Sequence, residues 1–330
     1  MTFKTVKVGT YEKSISDCPV KSLCKGRNLA IESSVKEVLF DLSGTDFFSI
    51  SCTAALAEAI MAYQGRQQVS VSEPPGSVAD YLSRMNFYSL ARIEHNECFS
   101  RHEPHDRFIP LCELSYSNDP GKTADLMESM LKKNIADVDG SVTNLANYAF
   151  GEIMDNVLQH SETAVSGLAA AQYYPKLGYV ELVVADAGQG IVASMADNIS
   201  YSGMSSDELI EKAFEAEAGQ YIGKTNFSDG KASMGMGLNI ASKFTRALKG
   251  YLWVVSRDSA AVISSCGFKK IPGLFYPGTV VCMKLPLQSS AKILESEIFE
   301  GGRNEPLLWS IEEGGFHCKS DIIGDDHVLW

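Results

Sequence analysis

The sequence has no apolar run long enough to cross a bilayer, and its first residues, Met-Thr-Phe-Lys-Thr-Val-Lys-Val, lack the apolar core of a secretory signal. Basic residues are scarce, with 29 Lys and Arg against 41 Asp and Glu and a net charge of −12, which argues against direct nucleic-acid binding. The eight cysteines are scattered singly, a pattern typical of reduced thiols rather than of a disulfide framework. We therefore expect a cytoplasmic protein that contacts no membrane.

Length and composition fit a globular protein with more than one domain. A chain of 330 residues with 45% hydrophobic residues can bury two cores. The stretch Ser-Asn-Asp-Pro-Gly-Lys at residues 117–122 is typical of a linker followed by a helix start. We expect a first domain at residues 1–115, a second at 116–290 and an acidic C-terminal extension at 291–330.

The first 115 residues alternate between strand and helix patterns. Residues 38–42 predict a buried strand and residues 67–71 a second strand, and residues 51–63 predict an Ala-rich helix with Leu56 and Ile60 on one face. This alternation predicts a small α/β unit.

Periodicity also predicts the elements of the second domain. The predicted helices are 123–136, 142–160, 208–218 and 239–248, and the predicted strands are 168–174, 180–185, 251–256, 260–266 and 279–285.

One polar stripe interrupts the largely apolar helix at residues 142–160. Glu152, Asn156 and His160 recur every four residues and therefore share one face of the helix. Because burying a carboxylate, an amide and an imidazole without partners costs free energy, this face is a candidate ligand site.

Two glycine-containing stretches follow. An apolar, β-branched run ends in Asp-Ala-Gly-Gln-Gly at residues 186–190, which predicts a strand that delivers Asp186 and a loop that lets the backbone approach a ligand. Gly-Met-Gly-Leu at residues 235–238 then opens a helix, where free N–H groups favour an anion.

These three stretches, in this order, resemble the N, G1 and G2 boxes of the GHKL ATPase superfamily, which includes type II topoisomerases, MutL-type repair proteins, histidine kinases and anti-sigma-factor serine kinases. The resemblance covers residues 119–287, about half the chain. It implies an α/β (α+β) fold whose second domain is a two-layer sandwich, and it implies ATP and Mg²⁺ as ligands.

The resemblance implies a role for each matching residue. Asn156 would hold Mg²⁺ against the phosphates, and Glu152 would act as the general base. Asp186 would accept a hydrogen bond from the adenine amino group. The other residues assigned to the nucleotide site are His160, Gly188, Gly190, Gly235, Gly237, Leu238 and Thr279. Residues 219–233 would form the lid over ATP, with Lys224 and Lys231 as candidate phosphate contacts.

The run at residues 41–51 resembles the signature of STAS domains, the fold of anti-sigma-factor antagonists. Ser51 falls at the phosphoacceptor serine of that signature. Ser49 replaces the usual Asp, Ile50 the first Ser, and Cys52 the Gly. We therefore expect Ser51 to be a helix N-cap that receives no phosphate.

A second candidate site is the loop-like stretch between the domains. Cys98, His102, His105 and Cys112 could supply metal ligands, but their spacing fits no common zinc pattern. Pro104 and Pro110 indicate irregular chain, so we favour a polar loop without a metal.

The sequence does not decide to which branch of the superfamily the protein is most similar. No His precedes the stripe within residues 123–148, as a sensor histidine kinase would require, and few residues remain for a transducer domain. The Glu-x3-Asn-x3-His spacing is closest to the anti-sigma-factor serine kinases. Three hypotheses stay open: a serine kinase acting on a partner of STAS or other regulatory type, a slow ATPase switch, and a non-catalytic nucleotide-binding module. A homodimer is compatible with each.

Overall fold

The structure is a computed structural model that describes residues 2–9, 14–104, 106–115, 120–135, 140–160, 167–215 and 237–286. The side chains of residues 120, 140–142, 159 and 160 lie outside that description. Within these ranges, no helix has both the length and the apolar character needed to cross a membrane.

The described part of the first 115 residues alternates strands with helices. These elements are β1 (Phe3–Lys7), α1 (Lys21–Cys24), β2 (Glu37–Asp41), α2 (Ile50–Gln64), β3 (Gln68–Ser72), α3 (Gly76–Arg84), α4 (Phe87–Leu90) and β4 (Phe108–Leu114).

The rest of the described chain contributes α5 (Pro120–Asn134), α6 (Gly140–His160), β5 (Gly167–Tyr174), β6 (Tyr179–Asp186), α7 (Ile191–Ala196), a 3₁₀ turn (Ile199–Tyr201), α8 (Ser206–Lys212), α9 (Gly237–Ala247), β7 (Tyr251–Arg257), β8 (Ser259–Ser264), β9 (Gly267–Lys270) and β10 (Tyr276–Pro286). The predicted mixed α/β fold is confirmed.

Strands β1, β2 and β3 form a parallel sheet in sequence order, with Val6 opposite Phe40 and Phe40 opposite Val71. Parallel neighbours require a crossover connection, and α2 supplies the one between β2 and β3. The likeness of this unit to STAS domains stays a prediction.

The second sheet has seven antiparallel strands in the order β4–β5–β6–β10–β7–β8–β9. Strand β10 lies between β6 and β7, although 90 residues of sequence separate the last residue of β6, Asp186, from Tyr276. This pairing sets Thr279 opposite both Asp186 and Ser256. The register therefore gathers residues from three distant segments at one end of the sheet.

Strand β4 was not predicted, because Pro110 indicated irregular chain. Proline cannot donate a hydrogen bond to a neighbouring strand, but β4 is an edge strand and its register with β5 shifts between Ile109 and Cys112. By sequence β4 falls in the predicted first domain, and by hydrogen bonding it belongs to the seven-stranded sheet. The short, polar edge strand β9 was also missed.

Helices α5, α6, α8 and α9 pack on one face of the seven-stranded sheet, which we call the helix face. Alternate strand residues point to this face, among them Leu182 and Val184 of β6 and Val281 and Met283 of β10, and they share one core with the helices. This arrangement is the α/β sandwich that the sequence predicts.

Helix α2 covers the opposite face of that sheet, which we call the α2 face. Val183, Trp253 and Cys282 lie in one core with Leu56 of α2 and Phe40 of β2, so α2 is packed between the two sheets. Twelve of its 15 residues are buried. A helix enclosed in this way is apolar all round rather than along one face, which the sequence analysis did not anticipate.

Glu58 is the one charged residue of α2. Its side chain is fully buried, and neither carboxyl oxygen has a hydrogen-bond partner among the described residues. Burial, reinforced by the negative charges of Asp186 and Glu113, raises the pKa of Glu58 well above its usual range.

Candidate functional site

Helix α6 presents Glu152 and Asn156 on one face, one turn apart. Ile153, Met154 and Val157 anchor the helix because they are buried in the core of the helix face. Glu152 and Asn156 stay partly exposed. The predicted helix is confirmed, and its packing leaves the two candidate residues accessible to a ligand.

The first turn of α9 packs closely against α6 at Glu152. A Cβ atom at Gly237 would lie 2.7 Å from Cβ of Glu152, so only glycine allows the two helices to approach this closely. Because the first turn of a helix has N–H groups without helical partners, α9 brings anion-binding groups next to the candidate base. Leu238, the next residue, is buried in the core of the helix face.

Tyr148, one turn before Glu152, was missed by the sequence analysis. Burial raises the pKa of Tyr148 to about 12, and the negative charge of Glu152 and a hydrogen bond to its carboxylate add to this effect. The tyrosine hydroxyl therefore donates to the Glu152 side chain and restricts its orientation. The four-residue spacing between them was the available signal. Burial also raises the pKa of Asp155, which lies beside Asn156.

Asp186 ends strand β6 on the helix face and is only 6% exposed. Its Oδ1 accepts a hydrogen bond from the Gly188 N–H at 2.7 Å. Burial raises the pKa of Asp186 to about 6, although hydrogen bonds from the backbones of Gly188 and Thr279 and the charge of Arg257 oppose the shift. A carboxylate has about four acceptor sites, so Asp186 can accept a further donor from a ligand.

A row of polar side chains crosses the sheet at this level. Asp186, Thr279 and Ser256 are register neighbours on three adjacent strands. Oγ1 of Thr279 accepts a hydrogen bond from the N–H of Ile191 at 3.0 Å and lies 3.2 Å from Oγ of Ser256. The row therefore holds the loop that follows Asp186. Ser256 was missed, because a serine at the end of an apolar strand carries no distinct pattern.

Two glycines of this loop region are required by close contacts. Gly190 has φ = 83°, and a Cβ there would lie 2.8 Å from Oγ of Ser256 and 2.9 Å from the carbonyl oxygen of Gly278. A Cβ at Gly278 would lie 2.1 Å from the carbonyl oxygen of Asp186. These glycines allow the loop at residues 186–190 to lie in close contact with the backbone of Gly278 and with the Ser256 side chain.

Several predicted site residues lie outside the description. They are Gly235, the lid at residues 219–233 with Lys224 and Lys231, and the extension at residues 291–330. His160 is the last residue of α6, and its side chain is not described.

The structure corrects the prediction that Ser51 caps a helix. The N-cap of α2 is Ser49, whose side chain accepts a hydrogen bond from the Cys52 N–H, and Ser51 lies inside the first turn. Ser51 is fully buried, and its N–H donates to Oε1 of Glu181 on β6 at 2.9 Å. The predicted phosphoacceptor position therefore faces the α2 face of the seven-stranded sheet rather than solvent.

The alternative metal site finds no support in the described residues. No three His, Cys, Asp or Glu side chains are grouped to bind a metal there. Cys98 is exposed, and Cys112 lies in β4, where its thiol contacts the carbonyl oxygen of Pro110 at 3.2 Å. His105 lies outside the description.

Comparison with known protein families identifies one domain. Residues 142–289 match the family model described as histidine kinase-, DNA gyrase B-, and HSP90-like ATPase. No curated protein and no solved structure gives a significant match to the chain. The matched segment begins in α6 and extends beyond β10, so it contains Glu152, Asn156, Asp186 and Thr279. Residues 142–289 therefore form a domain that is similar to this family, and we call it the ATPase domain after the family's name.

Proposed function

We propose that residues 142–289 bind ATP with Mg²⁺ and transfer its γ-phosphoryl group to water or to a hydroxyl of a partner protein. The observation that carries this proposal is the position of the buried acceptor Asp186, which heads a glycine loop on the same sheet face as the helix that presents Glu152 and Asn156. The family match supports the nucleotide-binding part.

The described residues fit an adenine nucleotide. Asp186 supplies a buried acceptor for the amino group, and the close contacts at Gly190 and Gly278 hold the backbone around it. Asn156 offers an amide oxygen, the hard ligand type that Mg²⁺ prefers. When bound, Mg²⁺ neutralises charge that develops on the phosphates. The first turn of α9 offers N–H groups to the same phosphates.

In this proposal Glu152 acts on the attacking group. As the bond between that oxygen and the γ-phosphorus forms, the bond to the leaving oxygen of ADP breaks, and the proton of the water or hydroxyl passes to the Glu152 carboxylate. Tyr148 orients that carboxylate through its hydroxyl. A serine kinase and a slow ATPase share this step and differ only in the acceptor.

Titration calorimetry with Mg-ATP tests the nucleotide site. We expect wild-type protein to bind, Asn156→Ala to lose the gain in affinity that Mg²⁺ provides, and Asp186→Asn to bind roughly tenfold to a hundredfold more weakly, since hydrogen bonds to charged groups contribute about 1.5–3 kcal/mol. Below pH 6 the affinity of the wild type should fall, because protonation of Asp186 removes the charged acceptor.

The pH dependence is measured as a difference between variants, since phosphate groups themselves titrate near pH 6. Asp186→Asn should lose the part of the fall in ATP affinity that protonation of Asp186 adds to the titration of the phosphates. Asp197→Asn, a control at an exposed aspartate, should keep that part. Wild-type affinity in both Asn156→Ala and Asp186→Asn would remove the assignment of this site.

A second prediction concerns Ser51. Because Ser51 is buried and its N–H is bound to Glu181, we expect no phosphate on it after incubation with Mg-ATP, and the acceptor is a separate molecule. Peptide mass spectrometry measures this directly. Stoichiometric phosphate on Ser51 would mean that the first 115 residues are a substrate in the same chain.

A further inference from the structure

Side chains of the neighbouring strands β10 and β7 form hydrogen bonds to the loop that follows Asp186, in addition to the bond from Asp186 itself. The N–H of Val192 points to Oγ of Ser256 at 3.4 Å, and the N–H of Ile191 donates to Oγ1 of Thr279 at 3.0 Å. The two hydroxyl oxygens are 3.2 Å apart, so they form one chain of hydrogen bonds beneath the loop.

Arg257, which follows Ser256 in the sequence, also forms a hydrogen bond to this loop. Its Nε donates to the carbonyl oxygen of Gln189 at 2.6 Å. Its backbone has φ = 52°, a left-handed conformation that is unusual for a residue other than glycine. Arg257 and Asp258 form the two-residue turn between β7 and β8, and a left-handed residue at the first position of such a turn matches the twist of the two strands.

We propose that Ser256 and Arg257, at the end of β7, are positioning residues of the nucleotide site that fix residues 187–192 against the sheet. This inference rests on the proposed function, because the loop they hold is the one headed by Asp186. They act through the loop: Ser256 bonds the Val192 N–H, and Arg257 bonds the Gln189 carbonyl. Preorganising a binding loop improves affinity because less order has to be imposed on binding.

The chain provides a matched control. Ser259 lies directly opposite Ser256 on strand β8, and both side chains are buried. The hydroxyl of Ser259, however, donates to Asp207 of α8 at 2.7 Å rather than contacting the loop. Ser256→Ala and Ser259→Ala therefore remove the same group from the same row of the sheet, and only the first should affect the loop.

The experiment compares ATP affinity, turnover and loop exchange in these variants. We expect Ser256→Ala to weaken ATP binding about tenfold, with turnover at saturating ATP unchanged, and Ser259→Ala to leave both unchanged. In the absence of nucleotide, hydrogen–deuterium exchange of residues 187–192 should be faster in Ser256→Ala than in the wild type or Ser259→Ala. Ser256→Thr, which keeps the hydroxyl, should restore slow exchange.

Arg257 is tested through pH. Its charge lowers the pKa of Asp186, so Arg257→Met should move the fall in ATP affinity to higher pH, and Arg257→Lys, which keeps the charge, should not. The pH profile measures the charge of Arg257 on Asp186, whereas the bond to the Gln189 carbonyl is measured by exchange of residues 187–192, which should be faster in both Arg257 variants because both lose the Nε donor.

The outcomes separate the two proposals. If the wild type binds ATP and Ser256→Ala binds it equally well with wild-type exchange, the positioning role is wrong and the nucleotide site stands. If the wild type does not bind ATP, the proposed function fails. The exchange data then still decide whether Ser256 holds the loop, and equal exchange in both serine variants would overturn the inference.

Discussion

Glu152→Gln should bind Mg-ATP nearly as tightly as the wild-type protein and turn it over about 10²–10⁴-fold more slowly, the usual contribution of a general base. The amide keeps the size of the side chain and can still accept a hydrogen bond from Tyr148, so helix packing is preserved. It cannot take a proton from an attacking hydroxyl. Calorimetry measures the binding, and γ-labelled ATP followed into free phosphate and into protein measures the turnover.

Glu128→Gln is the matched control for this variant. Glu128 is a partly buried glutamate on the neighbouring helix α5, where its carboxylate accepts a hydrogen bond from Asn147 of α6. It lies outside the proposed site, so its loss should leave turnover unchanged. Wild-type turnover in Glu152→Gln would exclude Glu152 as the base. Wild-type protein that binds ATP but shows neither hydrolysis nor transfer with any partner would favour the non-catalytic binding module.

Helix α6 could be predicted from the sequence because its signals are local. Glu152 and Asn156 are four residues apart, and the apolar residues between them have helical period, so one helix defines both the polar stripe and its buried anchor. The approach of α9 at Gly237 is not local. It depends on the packing of two helices whose sequences are about 80 residues apart, and the family resemblance indicated only that Gly237 belongs to the nucleotide site.

The polar row on the sheet also could not be predicted from local sequence patterns. Asp186 and Thr279 were identified by resemblance to known motifs, whereas their contact follows from a strand order that places β10 between β6 and β7. Ser256 joins them only through that order. A serine at a strand end is common, and its register with distant strands cannot be obtained from periodicity, which reports the face of a residue but not its neighbour.

Helix α2 illustrates a signal that was present but under-interpreted. Its Ala-rich sequence was assigned one apolar face, yet only one of its 15 residues, Glu58, is charged and small or apolar residues lie on every side, which is typical of a helix buried all round. The sequence could indicate this enclosure. It could not indicate that the enclosing layer on one side is the sheet of the ATPase domain, because no local pattern specifies a contact between β6 and a helix more than 100 residues earlier.

The contact between α2 and the ATPase sheet contains a buried ion pair. Nζ of Lys284 lies 4.0 Å from the carboxylate of Glu181, and both side chains are fully buried. Lys284 also donates to the carbonyl oxygen of Asp17 at 3.0 Å and lies over the rings of Tyr179 and Trp253. Oε1 of Glu181 accepts from the N–H of Ser51 at the start of α2, where the helix dipole favours negative charge. The network therefore joins the first 115 residues to the ATPase domain.

Lys284→Met should lower the free energy of unfolding by about 3–5 kcal/mol, because it leaves the Glu181 charge buried without its partner. Replacing both charges, as in Glu181→Leu with Lys284→Met, should recover much of that loss, since a buried pair is often matched by apolar residues of similar volume. The recovery should be incomplete, because the Ser51 N–H then loses its acceptor. Urea unfolding followed by circular dichroism measures all three proteins.

Lys270→Met is the control for the ion pair. Lys270 lies 3.1 Å from Glu211, but these side chains are 39% and 34% exposed, and exposed pairs contribute about 0–1 kcal/mol. A loss in Lys284→Met no larger than in Lys270→Met would show that the buried pair does not stabilise the contact.

The shape of the unfolding transition tests whether the two sheets unfold together. Because α2 shares its core with both sheets, the two should unfold together, and Lys284→Met should shift one transition. Two separate transitions, with only the first displaced, would mean that the first 115 residues fold independently of the ATPase domain and dock on it weakly.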